Sequence, residues 1–281
     1  MVIINEQQIS QERKKILEKI ELLEREGRFS EDVEPDPPAK PLLPNQIKYL
    51  NNSLWANVKR KIAFASAYAF VNKLKRKNQF FINPAIGAEN LNNVKGAIVT
   101  ANHFSPFDSF VMQIVFDQSK RKGRMYRVIK EGNYTSFPGF YGFLMRNCDT
   151  LPLSSNMATM KKFLRATKTA LGRGDCILVY PEQSMWWNYR KPKPLKPGAF
   201  DIAIKNNAPI VPCFIAMDDS DFYDNDGLRV QIYTPYIGKP IYPDKTLNKQ
   251  ECCQALMEQV FAHNKAVYEK HYGIPLTYLT K

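Results

Sequence analysis

His103 and Asp108 stand five positions apart in AIVTANHFSPFDSFV, between an apolar run that reads as a strand and a helix predicted to begin near Asp108, with Pro106 in the turn. A turn of that length can bring a carboxylate against one imidazole nitrogen, fixing the tautomer so that the other nitrogen takes up a proton. A base and its orienter of this kind activate an incoming hydroxyl without a nucleophilic serine. Loops at strand ends are also where α/β folds present ligand-facing residues. The spacing alone would equally suit a structural histidine held by a nearby carboxylate, so the surrounding residues must separate the two readings.

Asn102, His103, Ser105 and Asp108 together spell NHxSxxD, and the segment resembles that motif of the glycerolipid acyltransferase family, the group that contains bacterial 1-acylglycerol-3-phosphate acyltransferases. The resemblance extends over most of Ile98 to Ile215. ILVYPEQS resembles the family's strand running into FPEGTR, with Tyr180, Pro181 and Glu182 in place and Gln183, Ser184 and Met185 replacing the Gly, Thr and Arg. KPLKPGAF resembles FKKGAF through Lys196, Gly198 and Ala199, and PIVPCFI carries Pro209, Val211 and Pro212 of the fourth block. The second block departs: where the family has an arginine thought to hold the acceptor's phosphate, this chain reads TLPLSS, with Ser154 and Ser155. Arg146 and Arg190 are the candidates to compensate by position.

The resemblance implies that His103 deprotonates an acceptor hydroxyl, that Asp108 stabilises the imidazolium, and that the hydroxyl attacks an acyl thioester carried by coenzyme A or acyl carrier protein. Glu182 then binds an acceptor hydroxyl or orders its loop, and Asn102, Ser105, Ser184, Lys196, Arg146, Ser154 and Ser155 make up the expected substrate-binding set. Backbone amides near Gln183 and Ser184, or by Gly198, are the candidate oxyanion donors. The family mechanism requires no metal and no redox cofactor, and HExxH, the P-loop and GxGxxG are all missing from the sequence. His263 and His271, eight positions apart on the last predicted helix, read as structural. A serine cannot clamp a phosphate dianion bidentately as arginine does. The acceptor is therefore either a lysophospholipid or glycerol-phosphate-like molecule, or a non-glycerol one such as a glycolipid or lyso-aminolipid. A noncatalytic lipid-binding protein is the alternative from another class.

The elements that must position these residues follow from periodicity. Beyond Gly87, predicted strands at 97–101, 126–129, 176–180, 210–216 and 230–233 alternate with helices near 110–118 and 157–171, before a final helix at about 247–272. Alternation of this kind gives an α/β fold with a mixed, mostly parallel sheet flanked by helices. Ahead of it, residues 1–45 read as an N-terminal extension: a charged amphipathic helix at about 9–28, then a linker with five prolines between Pro35 and Pro44. The acyltransferase domain is expected over 46–281, with a membrane-docking helix at 46–78 and the catalytic core at 87–281. The uncharged run from Ile62 to Asn72 is too short for a bilayer core, which takes about 20 residues, so an in-plane helix is expected.

Composition sets the outer limits. Hydrophobic residues at 44% and charged residues at 24% exclude a disordered or polytopic membrane chain. A formal net charge of +13 attracts polyanions; with the NHxSxxD residues intact, the expected partner is an anionic membrane surface and not nucleic acid. Trp186, Trp187 and Tyr189, interleaved with cations, read as either an interfacial aromatic cluster or buried packing. Five cysteines without CxxC, and an N-terminus without an apolar h-region, point to a cytoplasmic protein peripheral on the inner face of the cell membrane.

Overall fold

The computed structural model describes residues 9–34, 39–92 and 94–280. Its centre is a seven-stranded sheet in the order β1-β7-β6-β2-β5-β3-β4. The strands are β1 (Phe81–Ile82), β2 (Ala97–Thr100), β3 (Met125–Ile129), β4 (Thr150–Pro152), β5 (Cys176–Val179), β6 (Ile210–Tyr223) and β7 (Arg229–Ile237). All neighbours are parallel except β6 and β7, which form an antiparallel pair. The mixed, mostly parallel sheet expected from the sequence is thus present.

The middle strands AIVT and CILV are apolar throughout because both faces of the sheet are covered. Side chains alternate between two cores. Ala97, Val99, Cys176 and Leu178 face a layer containing Val111, Met112 and Val115 of α3 (Asp108–Gln118) and Val71 of α2 (Leu54–Arg76). Ile98 and Ile177 face Phe163 and Ala166 of α6 (Met157–Arg173), Phe200 of α7 (Gly198–Asn206) and Leu256 of α8 (Lys249–Tyr272). The helices end where their sequences say they should. Asn156 caps α6 at its start, Gly174 ends it in the left-handed region at φ 92°, and α8 opens on a capping box made by Asn248 and Glu251.

Several local expectations change. β1 and β4, and the helices α4 (Glu131–Thr135), α5 (Gly139–Asn147) and α7, are too short or too irregular in pattern to have been read from periodicity. Within the 46–78 segment, α2 begins only at Leu54, capped by Ser53. The proline-rich stretch is no free linker where it is described. Leu42 is buried, its N–H donates to Glu131, and its carbonyl accepts from Ser154 and Thr159, so this part of the stretch is strapped to the core; residues 35–38 lie outside the described residues.

The first helix, α1 (Gln11–Arg25), also packs on this domain. Ile16, Ile20 and Leu23 line one face, as an i, i+4, i+7 stripe must, and meet Phe29, Val33 and Trp186 in a separate small core. Trp186 is fully buried, stacks on Phe29 at 5.6 Å, and donates from Nε1 to the Glu31 carbonyl. Arg13 lies over the Trp187 ring. Of the two readings of this aromatic cluster, buried packing is the one observed.

Candidate active site

In parallel strands β2, β3 and β5, chain direction sorts the loops between two opposite edges of the sheet. His103 follows β2 and Tyr180 to Ser184 follow β5, so both segments emerge at the carboxyl edge, on adjacent strands. α3 starts there as well, at Asp108, whose carboxylate sits in the first turn where the helix dipole favours negative charge.

The imidazole Nδ1 of His103 lies 2.5 Å from Asp108 Oδ2. Asp108 is almost completely buried, whereas the His103 side chain retains 25% exposure. The ring stacks on Tyr180, with centroids 4.4 Å apart and planes inclined by 18°, and the Tyr180 hydroxyl is 3.0 Å from Ser109 Oγ. Burial lifts the Tyr180 phenol well above its ordinary range, with the Asp108 charge adding to it, so the ring is held neutral beside the histidine. A carboxylate on one side and a flat ring beneath fix the imidazole, leaving Nε2 without a partner among the described residues.

His271 gives an instructive contrast. It also meets a carboxylate, Asp218, at 3.0 Å through Nε2, but its Nδ1 is taken by the Tyr236 hydroxyl at 3.0 Å. Both nitrogens are occupied. His263 is largely buried, which pushes its pKa down toward the neutral ring. Only His103 combines a carboxylate partner with a free nitrogen, and the structural reading of the other two stands.

The remaining expected site residues separate into three groups. Asn102 and Ser105 adjoin His103 but face inward. Asn102 donates to the Ile215 carbonyl and accepts from the Ile215 N–H, bridging β2 to β6 just beyond Pro212, which has no N–H to give. Ser105 is buried and accepts the Phe107 N–H, closing the turn. In these contacts both residues hold the turn that carries His103.

Glu182 and Ser184 belong to a buried network. The Glu182 carboxylate, 2% exposed, accepts from the His103 N–H at 3.2 Å and the Lys193 N–H at 3.0 Å. The Lys193 ammonium, 1% exposed, donates to the Ser184 carbonyl and Oγ and lies 3.8 Å from Glu182. Ser184 Oγ in turn donates to the Phe29 carbonyl. These contacts order the loop around Glu182 and Ser184, which favours the second of the two roles open to Glu182. Burial drives both ends of the ion pair toward neutrality: the Glu182 carboxyl upward and the Lys193 ammonium down to about 8. Sequence reading missed Lys193, since a lysine among prolines in KPKPLKPG carries the signature of a solvated loop.

Ser154, Ser155 and Arg146 lie elsewhere. Ser154 and Ser155 follow β4, three strands from β2, or about 14 Å at the usual strand spacing. Ser154 Oγ donates to the Leu42 carbonyl, the Ser155 N–H donates to Glu131, and Arg146 on α5 donates to the Tyr134 and Phe137 carbonyls. These contacts tether the three residues locally. Arg190 is likewise engaged, by Asp219 and Gln231. Lys196 differs: its N–H is tied to the Pro181 carbonyl beside Glu182, and its ammonium meets no partner among the described residues.

The Acyltransferase family model matches residues 85–216, a stretch that contains every member of this cluster from Asn102 to Lys196. No curated protein matches the chain. Among solved structures, the chain is similar to the 1-acyl-sn-glycerophosphate (LPA) acyltransferase PlsC from Thermotoga maritima, at 18% identity and a TM-score of 0.48, over 81% of this chain and 86% of that chain.

Proposed function

We propose, on the premise that residues 85–216 form a domain of the acyltransferase family and that the chain is an O-acyltransferase, that it moves a fatty acyl group from an acyl thioester to a lysolipid hydroxyl with His103 as general base. The observation that carries this reading is the imidazole clamped at Nδ1 by buried Asp108 with Nε2 free at the carboxyl edge of the sheet. Nε2 takes the proton of the acceptor hydroxyl while its oxygen attacks the thioester carbonyl. The tetrahedral intermediate collapses with loss of the C–S bond, and the imidazolium returns the proton to the departing thiolate. Asp108 stabilises the imidazolium between those steps. General-base assistance of this kind supplies about 10²- to 10⁴-fold, with positioning of the two substrates adding to it.

The oxyanion requires donors. The N–H groups of Gln183 and Ser184 are engaged by the Tyr180 and Glu182 carbonyls, which favours the alternative near Gly198, where α7 opens with its first amides unsatisfied by the helix itself. Lys196, held two residues ahead of that helix with a free ammonium, suits a phosphate of the donor or the acceptor. The donor is acyl-CoA or acyl carrier protein. With neither family arginine in place and Arg190 bound elsewhere, an acceptor lacking a phosphate dianion, a glycolipid or lyso-aminolipid, is the second reading.

No helix among the described residues is long and apolar enough to cross a membrane. On α2, Leu54, Trp55, Val58 and Ile62 are exposed, opposite the buried Ala63, Ala67 and Val71. At 100° per residue they occupy an arc of about 100°, flanked by Lys59 and Lys61. This is the pattern of a helix lying in an anionic membrane surface, and it supports peripheral attachment to the inner face of the cell membrane. Labelled acyl-CoA and acyl carrier protein offered with a panel of lysolipids test the assignment: transfer must occur with wild type and vanish with His103→Ala. Transfer at the wild-type rate by that variant refutes it.

A further inference from the structure

Arg60, Arg124 and Arg173 converge with Asn52 and Tyr126 on a pocket of about 500 Å³ at the opposite edge of the sheet from His103. Arg124 immediately precedes β3, and Arg173 to Asp175 immediately precede β5, so the pocket sits at the amino ends of strands whose carboxyl ends carry the catalytic loops. The four residues of β5 lie between Asp175 and Tyr180, five steps of the chain or about 17 Å at the usual rise. The pocket is a separate place from the site described above.

Charge accounting shows what it suits. Asp149, nearly buried beneath it, is shared by Arg60 at 2.7 Å and Arg124 at 3.7 Å. Asp175, on the lining, accepts the Arg124 N–H. Arg173 is exposed at the end of α6, and its guanidinium has no hydrogen bond or ion pair among the described residues. Exposed Lys122 adjoins Gly123 on the lining, and Lys95 lies against Gly174. Three guanidiniums with two surrounding lysines therefore face two carboxylates. Guanidinium forks match the paired oxygens of a phosphoryl group, and a fork with no protein partner is the one free to do so.

We propose that this pocket binds a phosphoryl group, with Arg173 as its principal contact and Arg124 and Arg60 behind it. Two sources share that chemistry. One is the headgroup of an anionic phospholipid, since Asn52 on the lining stands two and three positions before exposed Leu54 and Trp55, just ahead of α2. The other is a soluble phosphate ester such as a nucleotide.

The test uses the full chain at physiological salt with inorganic pyrophosphate as probe, followed by calorimetry and by the arginine side-chain NMR signals. Binding perturbs the Arg173 guanidinium, and Arg173→Glu weakens it about tenfold or more, the loss of one charge-assisted pair. Lys270→Glu, an equal charge change on the distant exposed face of α8, leaves the affinity unchanged. Arg173 contacts no described partner, so the fold tolerates its replacement. Loss of phosphatidic acid vesicle binding in Arg173→Glu assigns the headgroup source, and competition by coenzyme A stronger than by its dephospho form assigns the soluble one; either supports the site. Equal pyrophosphate affinity in wild type and Arg173→Glu, or an equal loss in Lys270→Glu, overturns it. His103-dependent transfer is measured separately with an acyl thioester that carries no phosphate, so that failure of the pocket and failure of the His103 assignment are told apart.

Discussion

The backbone N–H of His103 donates to the carboxylate of Glu182, a residue 79 positions later in the chain. Because Glu182 also accepts the Lys193 N–H, a single buried carboxylate ties the loop after β2 to both ends of the loop after β5. The histidine is thus fixed twice, at its ring by Asp108 and at its backbone by Glu182. Removing either restraint should affect turnover by a different route.

Asp108→Asn tests the ring restraint. An amide can offer its N–H to Nδ1, leaving the proton on Nε2, the wrong tautomer for a base, and it cannot stabilise the imidazolium. The expected result is a fall in kcat of about 10²- to 10⁴-fold, the range of general-base assistance, with little change in KM. A kcat within twofold of wild type would remove Asp108 from the mechanism.

Glu182→Gln and Lys193→Met test the backbone restraint through stability. Each single change strands a buried group, so Lys193→Met should cost about 3–5 kcal/mol in denaturant unfolding. The double variant removes both charges and should recover most of that loss. Additive losses in the double-mutant cycle would show that the pair is not coupled.

The same pair has a pH signature. Lys193 falls from 10.5 to about 8 in the folded chain, so between those values the unfolded chain holds a proton that the folded chain has released. Stability contributed by this group therefore rises with pH across roughly 8 to 10.5, by about 3 kcal/mol. Glu182, shifted upward, acts in a lower window: its contribution falls as pH rises from 4.5 toward its folded value. Because tyrosines titrate near the upper window too, the measurement is the difference in unfolding free energy between wild type and Lys193→Met at pH 7 and pH 10.5. A difference independent of pH would contradict the burial argument.

The reach of the sequence can be judged from these same residues. His103 and Asp108 were readable because a short turn limits where they meet and the neighbouring Asn102 and Ser105 complete a recognisable pattern, and β2 and β5 because strands covered on both faces must be apolar throughout. Lys193 and Trp186 were not. Their burial depends on the segment holding Phe29, 155 positions before Ser184, closing over the loop, and no local pattern encodes a partner that distant. Ser154 shows a related limit: alignment to a motif places a residue along a strand, but the order of strands in the sheet decides how far it lies from the base. β4, with three residues, is too short for any periodicity.

The packing of Phe29 on Trp186 predicts that the N-terminal segment contributes to the stability of the α/β fold. Deleting the residues up to Glu34 exposes Trp186 and strips Ser184 Oγ of its acceptor. Trp186→Ala alone should cost about 3–5 kcal/mol, and the deletion should lower Tm while shifting Trp186 emission to the red, read in a Trp55→Phe, Trp187→Phe background. Unchanged emission would mean that the loop buries the indole without α1.

The exposed face of α2 carries the last expectation. Leu54 and Trp55 retain 84% and 77% exposure, and with Val58 and Ile62 they place four large apolar side chains in water on one helix arc. Burying a side chain of this kind is worth about 1.5–3 kcal/mol, so even half-insertion of three of them exceeds the factor of ten that vesicle sedimentation resolves. Replacing Leu54, Trp55 and Val58 together with serine should abolish sedimentation with anionic vesicles while the unfolding midpoint stays within a degree or two, since none of the three belongs to a core cluster. Transfer to a water-soluble short-chain acceptor should then persist while transfer to a vesicle-bound one falls. Undiminished sedimentation of the triple variant would shift membrane attachment away from α2 to the lysines alone, and high salt would then release the protein.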